Sequence, residues 1–384
     1  MKRKIDEFTQ ILTSETFPNI GLMSGLGGQI LVCSELFLQK QIPQEWLDTL
    51  HQVLEERLTN EEFMTTHCNG LSGIGWLYEH LSQRKVITYD TNILLEEFDS
   101  YLEKSLQKFM IENNYDFLHG GVGVALYFAK RVHKKRELVL VLNQFIEDLE
   151  KISAKQEEGT LKWLSHLGNT DSQGYNISLS HGMSSIVVIL SKLYKIEGIN
   201  KQKTETLLRG AIQYILAQEI DKDRYGSYFT NFALESMPEI VKSRLAWCYG
   251  DLGIAAALYQ AGKALNENRW IDKALDIFLF SASQKDDTIG DAILCHGTAG
   301  IGHIFYRMWL NTQMPEFKKA TDYWFEIALK MAIFPDGLAG YKTKRTNEWV
   351  NKYELLEGIA GTCLAMATYY YEIEPEWDEC LLLS

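Results

Sequence analysis

Cys248 and Cys295 each stand two residues before a glycine, in Trp247-Cys248-Tyr249-Gly250 and Cys295-His296-Gly297. Alone, a Cys-His dipeptide says little about metal. Two cysteines in one register, with His296 beside the second, put two thiolates and an imidazole within reach of a single ion. A Cys₂His set with a fourth, exchangeable position is the pattern of a catalytic zinc site, since structural sites close all four positions with protein. The chemistry such a site offers is thiol activation. A free cysteine, with a pKa near 8.5, is only a few per cent thiolate at neutral pH, whereas a coordinating thiol is deprotonated outright. The remaining cysteines read as packing residues: Cys33 and Cys363 lie in apolar runs, Cys68 beside a glycine motif and Cys380 near the terminus.

The glycines that set this register belong to a repeat. The unit is Gly-x-x-(Gly or Ser) followed by an apolar run, and it begins at Gly25, Gly70, Gly120, Gly182, Gly250, Gly297 and Gly358. The spacings of 45 to 68 residues leave room for two helices and two loops in each interval. Ahead of each motif lies an amphipathic stretch, such as Leu94, Leu95, Phe98, Leu102, Leu106 and Phe109, while the segment after it is apolar almost all round. Seven amphipathic outer helices around seven buried inner ones predict an all-α, (α/α)7 double-ring toroid formed by 1–384 as one domain, with an open solenoid as the alternative. The excess length falls in loops at 152–175, 196–202, 221–243 and 335–351. Glycine at the start of each inner helix is expected to permit φ > 0 and close approach. The residues just before the glycines, Ser24, Asn69, His119, His181, Tyr249, His296 and Glu357, should line one rim, where inner-helix N-termini offer unsatisfied N–H groups. Ser24 and Asn69 read as N-caps.

The seven motifs, with Trp247-Cys248-Tyr249-Gly250, Cys295-His296-Gly297 and Ser180-His181-Gly182, resemble the lanthionine synthetase C family, the cyclases of lantibiotic biosynthesis, across essentially the whole chain. The resemblance implies a seven-fold α-toroid, one Zn²⁺ held by Cys248, Cys295 and His296, and addition of peptide cysteines to dehydroalanine or dehydrobutyrine. It also implies a supporting shell of Asp116, His181, Arg244 and Tyr249. Attack on the β-carbon makes an enolate that must be protonated at the α-carbon, and His181, which shares its register with His296, is the candidate acid. Asp116 either orients an imidazole or accepts the thiol proton; Arg244 either stabilises the enolate or joins a structural ion pair. Tyr249 is read as part of this shell or as packing. The partners implied are a dehydrated precursor peptide, a dehydratase and an export transporter at the cytoplasmic face of the membrane.

Composition narrows the rest. The 384 residues carry 38 basic and 51 acidic side chains, a formal charge of −13 that argues against a nucleic-acid partner. A hydrophobic fraction of 46% excludes global disorder. No apolar run approaches the roughly 18–20 residues of a membrane span, no signal-peptide core follows the basic start, and six cysteines are too sparse for a disulfide scaffold; a cytoplasmic protein is expected. Three other functions share parts of this pattern. A prenyltransferase-like thiol alkylating enzyme would use Asp, Cys and His as ligands, a thiol-binding scaffold of the same fold that takes up glutathione would not turn over, and an (α/α) glycosidase would need paired rim carboxylates beyond Asp116 and Glu357.

Overall fold

The computed structural model describes residues 1–60, 63–155, 159–166, 172–237, 239–285 and 289–384. Of the insertion expected at 152–175, residues 156–158 and 167–171 lie outside the described residues, as does residue 238 of the insertion at 221–243. The long helices alternate as the repeat predicts. The outer ones are α1 (Lys2–Leu12), α3 (Gln44–Asn60), α5 (Glu96–Ile111), α7 (Val139–Ile152), α9 (Lys201–Leu216), α11 (Asn268–Ser283) and α13 (Pro315–Lys330). The inner ones are α2 (Leu26–Leu38), α4 (Leu71–Gln83), α6 (Gly121–Arg131), α8 (Met183–Leu193), α10 (Asp251–Leu265), α12 (Thr298–Thr312) and α14 (Ile359–Tyr370). Burial separates the two sets. In α8 every residue except Lys192 is buried, whereas α7 buries the single stripe Leu142, Phe145, Ile146 and Leu149. Three short antiparallel hairpins decorate the loops: β1 (Ala154–Lys155) with β2 (Leu161–Lys162), β3 (Leu164–His166) with β4 (Gln173–Tyr175), and β5 (Thr343–Lys344) with β6 (Trp349–Val350). Among the described residues no helix is long and apolar enough to cross a membrane.

Contacts group the chain into two compact units. The first, Met1–Thr91 with Ala282–Cys380, holds the two earliest and the two latest repeats. Within it α14 packs against α1, α2 and α12, so the last repeat lies directly against the first. The second, Asn92–Ser281 with Leu381–Ser384, stacks α8 between α6 and α10 and backs it with α9.

Each motif glycine is the N-cap of its inner helix, and the reason is mostly close approach. The chain before each helix doubles back, so that a Cβ on Gly25, Gly70, Gly182 or Gly250 would stand 2.2 to 2.4 Å from the carbonyl oxygen six residues earlier. This corrects the expectation of positive φ. Only Gly250, at φ +92°, uses the left-handed region, and the other six are extended. The same loop also occupies helix-start amides expected to be open. The first helical N–H donates to the carbonyl seven residues earlier at Leu26, Leu71, Gly121, Met183, Thr298 and Ile359. Ser24 and Asn69 are therefore not caps; the Ser24 hydroxyl donates to Asn69 Oδ1.

Candidate active site

A backbone ladder two residues ahead of the glycines carries the cysteines. In the first unit Cys295 N–H donates to Leu356 O, Leu356 N–H to Met23 O and Met23 N–H to Cys68 O, at 2.9 to 3.0 Å. In the second unit Ser180 N–H and Oγ–H both donate to Cys248 O, at 3.3 and 3.1 Å. Each bond runs from one repeat to the next in the same register, so within each unit the repeat fixes the turn that carries the cysteine. Trp247, buried beside Cys248, donates its indole N–H to Leu381 O at 2.8 Å and anchors that turn from below. Ahead of Cys295, the buried Asp291 carboxylate accepts Lys344 N–H of β5 at 2.9 Å and lies close enough to His296 to feel its charge.

Cys248 and Cys295 are buried and His296 is half-buried, and their ligand atoms all lie within 4.8 Å of one another. A tetrahedral zinc with bonds of about 2.0–2.3 Å holds its donors roughly 3.5–4 Å apart, so the two sulfurs and the imidazole fit such an ion. The packing cysteines behave otherwise. Cys33 and Cys363 are wholly enclosed, and burial pushes the Cys33 thiol up to about 12, which leaves it inert.

His181 Nδ1–H donates to Asp116 Oδ2 at 2.7 Å, and Asp116 Oδ1 accepts His119 N–H at 2.7 Å. Asp116 thus orients an imidazole while its own turn holds it. Burial disfavours the charged His181 ring, but the hydrogen bond and charge of Asp116, with the Cys248 thiolate nearby, outweigh it and raise the pKa. For Asp116 burial is likewise outweighed, by His181, and its pKa falls. His119 goes the other way: burial and the neighbouring His181 lower it despite Asp116. Tyr249 is half-buried with its ring 6.1 Å from His181, and burial raises its pKa, so it remains a neutral donor. Arg244 is exposed, four residues before Cys248. Among the described residues Asp116, His119 and Tyr249 therefore gather around His181, and the Arg244 charge reaches Tyr249. Sequence reading missed Phe232, whose ring stands 5.6 Å from Tyr249 and which lies in an insertion that no register could place, and Asn176, buried beside Tyr249, which the register did signal: it stands six residues before Gly182 as Asn19 and Asn114 stand before Gly25 and Gly120.

Residues 14–382 match the family described as lanthionine synthetase C-like protein. This chain belongs to that family. Nisin biosynthesis protein NisC of Lactococcus lactis subsp. lactis is 24% identical over 393 residues, spanning 96% of this chain and 90% of the relative. The solved structure of nisin cyclase matches with a TM-score of 0.79 at 22% identity, over 100% of this chain and 97% of that one. At such identity the likeness shows the fold, and it is the all-α toroid of helix pairs expected from the sequence.

Proposed function

We propose that this lanthionine synthetase C-like chain is a zinc-dependent peptide cyclase, working as one domain over 1–384. It forms lanthionine and methyllanthionine thioether rings by adding cysteine thiolates of a dehydrated precursor peptide to dehydroalanine or dehydrobutyrine. The observation that carries the reading is the convergence of Cys248, Cys295 and His296 donors within 4.8 Å. Likeness to nisin cyclase over the whole chain supports it.

A Zn²⁺ held by these three residues would supply a substrate thiolate at neutral pH. The thiolate sulfur bonds to the β-carbon, the C=C π pair moves toward the carbonyl as an enolate, and the α-carbon then takes a proton. His181 gives that proton: Asp116 binds its Nδ1, which leaves Nε2–H to point at the peptide, and the raised pKa keeps the ring charged to a higher pH than an ordinary histidine. Arg244, whose charge reaches Tyr249, would answer the enolate oxygen, and Tyr249 flanks the His181 ring. The substrate must come from an enzyme that removes water from serine and threonine side chains.

Two measurements test this together. Purified protein should hold about one zinc per chain, and incubation with a dehydrated precursor should consume its free thiols faster and more stereoselectively than an enzyme-free control. Cys248→Ala and His296→Ala should lose both metal and ring formation, because each removes one of three protein ligands. Native protein that carries no zinc, or that matches the enzyme-free control, overturns the reading.

A further inference from the structure

His119, His181, Tyr249 and Phe232 stand ring beside ring. The centroids are 6.0 Å apart from His119 to His181, 6.1 Å from His181 to Tyr249 and 5.6 Å from Tyr249 to Phe232. The first three are rim residues of successive repeats, but the fourth comes from the insertion at 221–243. We propose that Phe232 is a specificity-determining residue, whose ring seats an apolar side chain of the substrate peptide close to the dehydro residue that His181 protonates. The proposal rests on the cyclase reading above.

Reach is the first support. An extended peptide advances about 3.3–3.6 Å per residue, so the two ring steps beyond His181 are spanned by roughly three to four residues of extended chain. Rigidity is the second. Tyr228 and Phe229 donate their N–H groups to the buried Asp251 carboxylate at 2.9 and 3.0 Å, Ala233 N–H donates to Tyr175 O at 2.9 Å, and Leu234 N–H to Gln218 Oε1 at 2.9 Å. Thr230 Oγ–H closes the turn onto Phe232 O itself. The loop is therefore held on both sides of Phe232, and the ring is half-buried, one edge on Tyr249. A fixed aromatic next to reacting atoms selects by shape with little ordering cost.

The test uses the full-length zinc protein and synthetic peptides that carry one cysteine and one dehydroalanine. At each position one to four residues from the dehydroalanine, Leu, Phe or Ser is offered in competition, and ratios of kcat/KM are read by mass spectrometry. The native chain should prefer Leu or Phe over Ser at one position by about tenfold, the low end for an apolar pocket contact. Phe232→Ala should cut that preference to about twofold or less, Phe232→Leu should keep most of it, and zinc content should stay the same in both. Should Phe232→Ala fail to fold, Phe232→Trp decides, because it must shift the preference toward smaller side chains. Ratios in the folded variants equal to the native ones overturn the proposal. A native chain that closes no ring in any peptide overturns instead the cyclase reading on which it rests.

Discussion

In the second unit His181 Nδ1 meets Asp116 Oδ2 at 2.7 Å, with the side chains 31% and 22% exposed; in the first, His303 Nε2 meets Asp378 Oδ2 at 3.0 Å, with the side chains 1% and 0% exposed. The residue types are the same and the surroundings are not. Asp378 also accepts a bidentate pair from Arg307, Nε and Nη2 each at 3.0 Å, and Arg307 Nη2 donates to Pro375 O at 2.7 Å as well. The His303 ring lies 4.5 Å from that of Trp377, whose indole N–H donates to Thr368 Oγ1 at 2.9 Å. This cluster fastens the short helical segment Glu376–Leu381 onto α12 and α14, and every charge in it is answered by protein. Around His181 no guanidinium neutralises Asp116 in this way among the described residues, so the carboxylate's field falls on the ring and the ring stays open to a ligand. A buried, cross-braced pair builds the scaffold; a half-open pair is available for proton transfer.

The comparison is broken most decisively at His181. His181→Asn should slow ring formation by roughly 10²–10⁴-fold, the usual worth of a general acid, while zinc content and the melting temperature stay close to native. If it loses zinc as fully as Cys248→Ala, His181 is a ligand and the contrast with His303 is misdrawn. Asp378→Ala should do the reverse, costing about 3–5 kcal/mol of stability in denaturant unfolding because the buried Arg307 loses its enclosed counter-charge and keeps only the largely exposed Glu374 and the Pro375 carbonyl, with activity per folded molecule retained.

The pH dependence sharpens the contrast further. Because the His181 pKa is raised, activity that needs the charged ring should fall as pH rises through that raised value, and so should the ring's contribution to stability, which is complete below about 6.5. Asp116→Asn removes the main raising influence and should move this alkaline limb of the kcat profile to lower pH; an unmoved limb would mean that another group titrates. Asp378 is held low by Arg307 and His303 against the opposing effect of burial, so its contribution to stability is present above the ordinary carboxylate range and is lost as pH falls through its lower folded value. The smallest effect is expected at Glu374, 59% exposed, whose contact with Arg307 lies at the edge of the cluster. Glu374→Gln should cost no more than about 1 kcal/mol, and a larger loss would show the latch extending to its solvent side.

What the sequence by itself determined is whatever repeats. A glycine where the chain must double back, and apolar residues on one face or all round, recur seven times, so helix order, inner or outer placement and the rim register could all be read in advance. Cys248 and Cys295 could be singled out for that reason, since equal positions in equal repeats each sit on the repeat-to-repeat backbone bonds of their own unit. His181 was legible as a rim residue, but Asp116 only through likeness to a family, because nothing local ties residues 65 apart in the chain. Tertiary structure alone decided the rest. The register marks His303 only as an inner-helix residue, and its pairing is undefined until Arg307, Trp377 and Asp378 enclose it; Phe232 has no register until Asp251, Tyr175 and Gln218 hold its loop beside Tyr249. The Ser24 and Asn69 caps failed on the same ground: the doubled-back loop had already claimed the amides they would have bonded. Periodicity carries position because every repeat packs against a copy of itself, whereas burial, pairing and insertion contacts depend on residues far apart in sequence, and these acquire a defined environment only when the repeats have packed together.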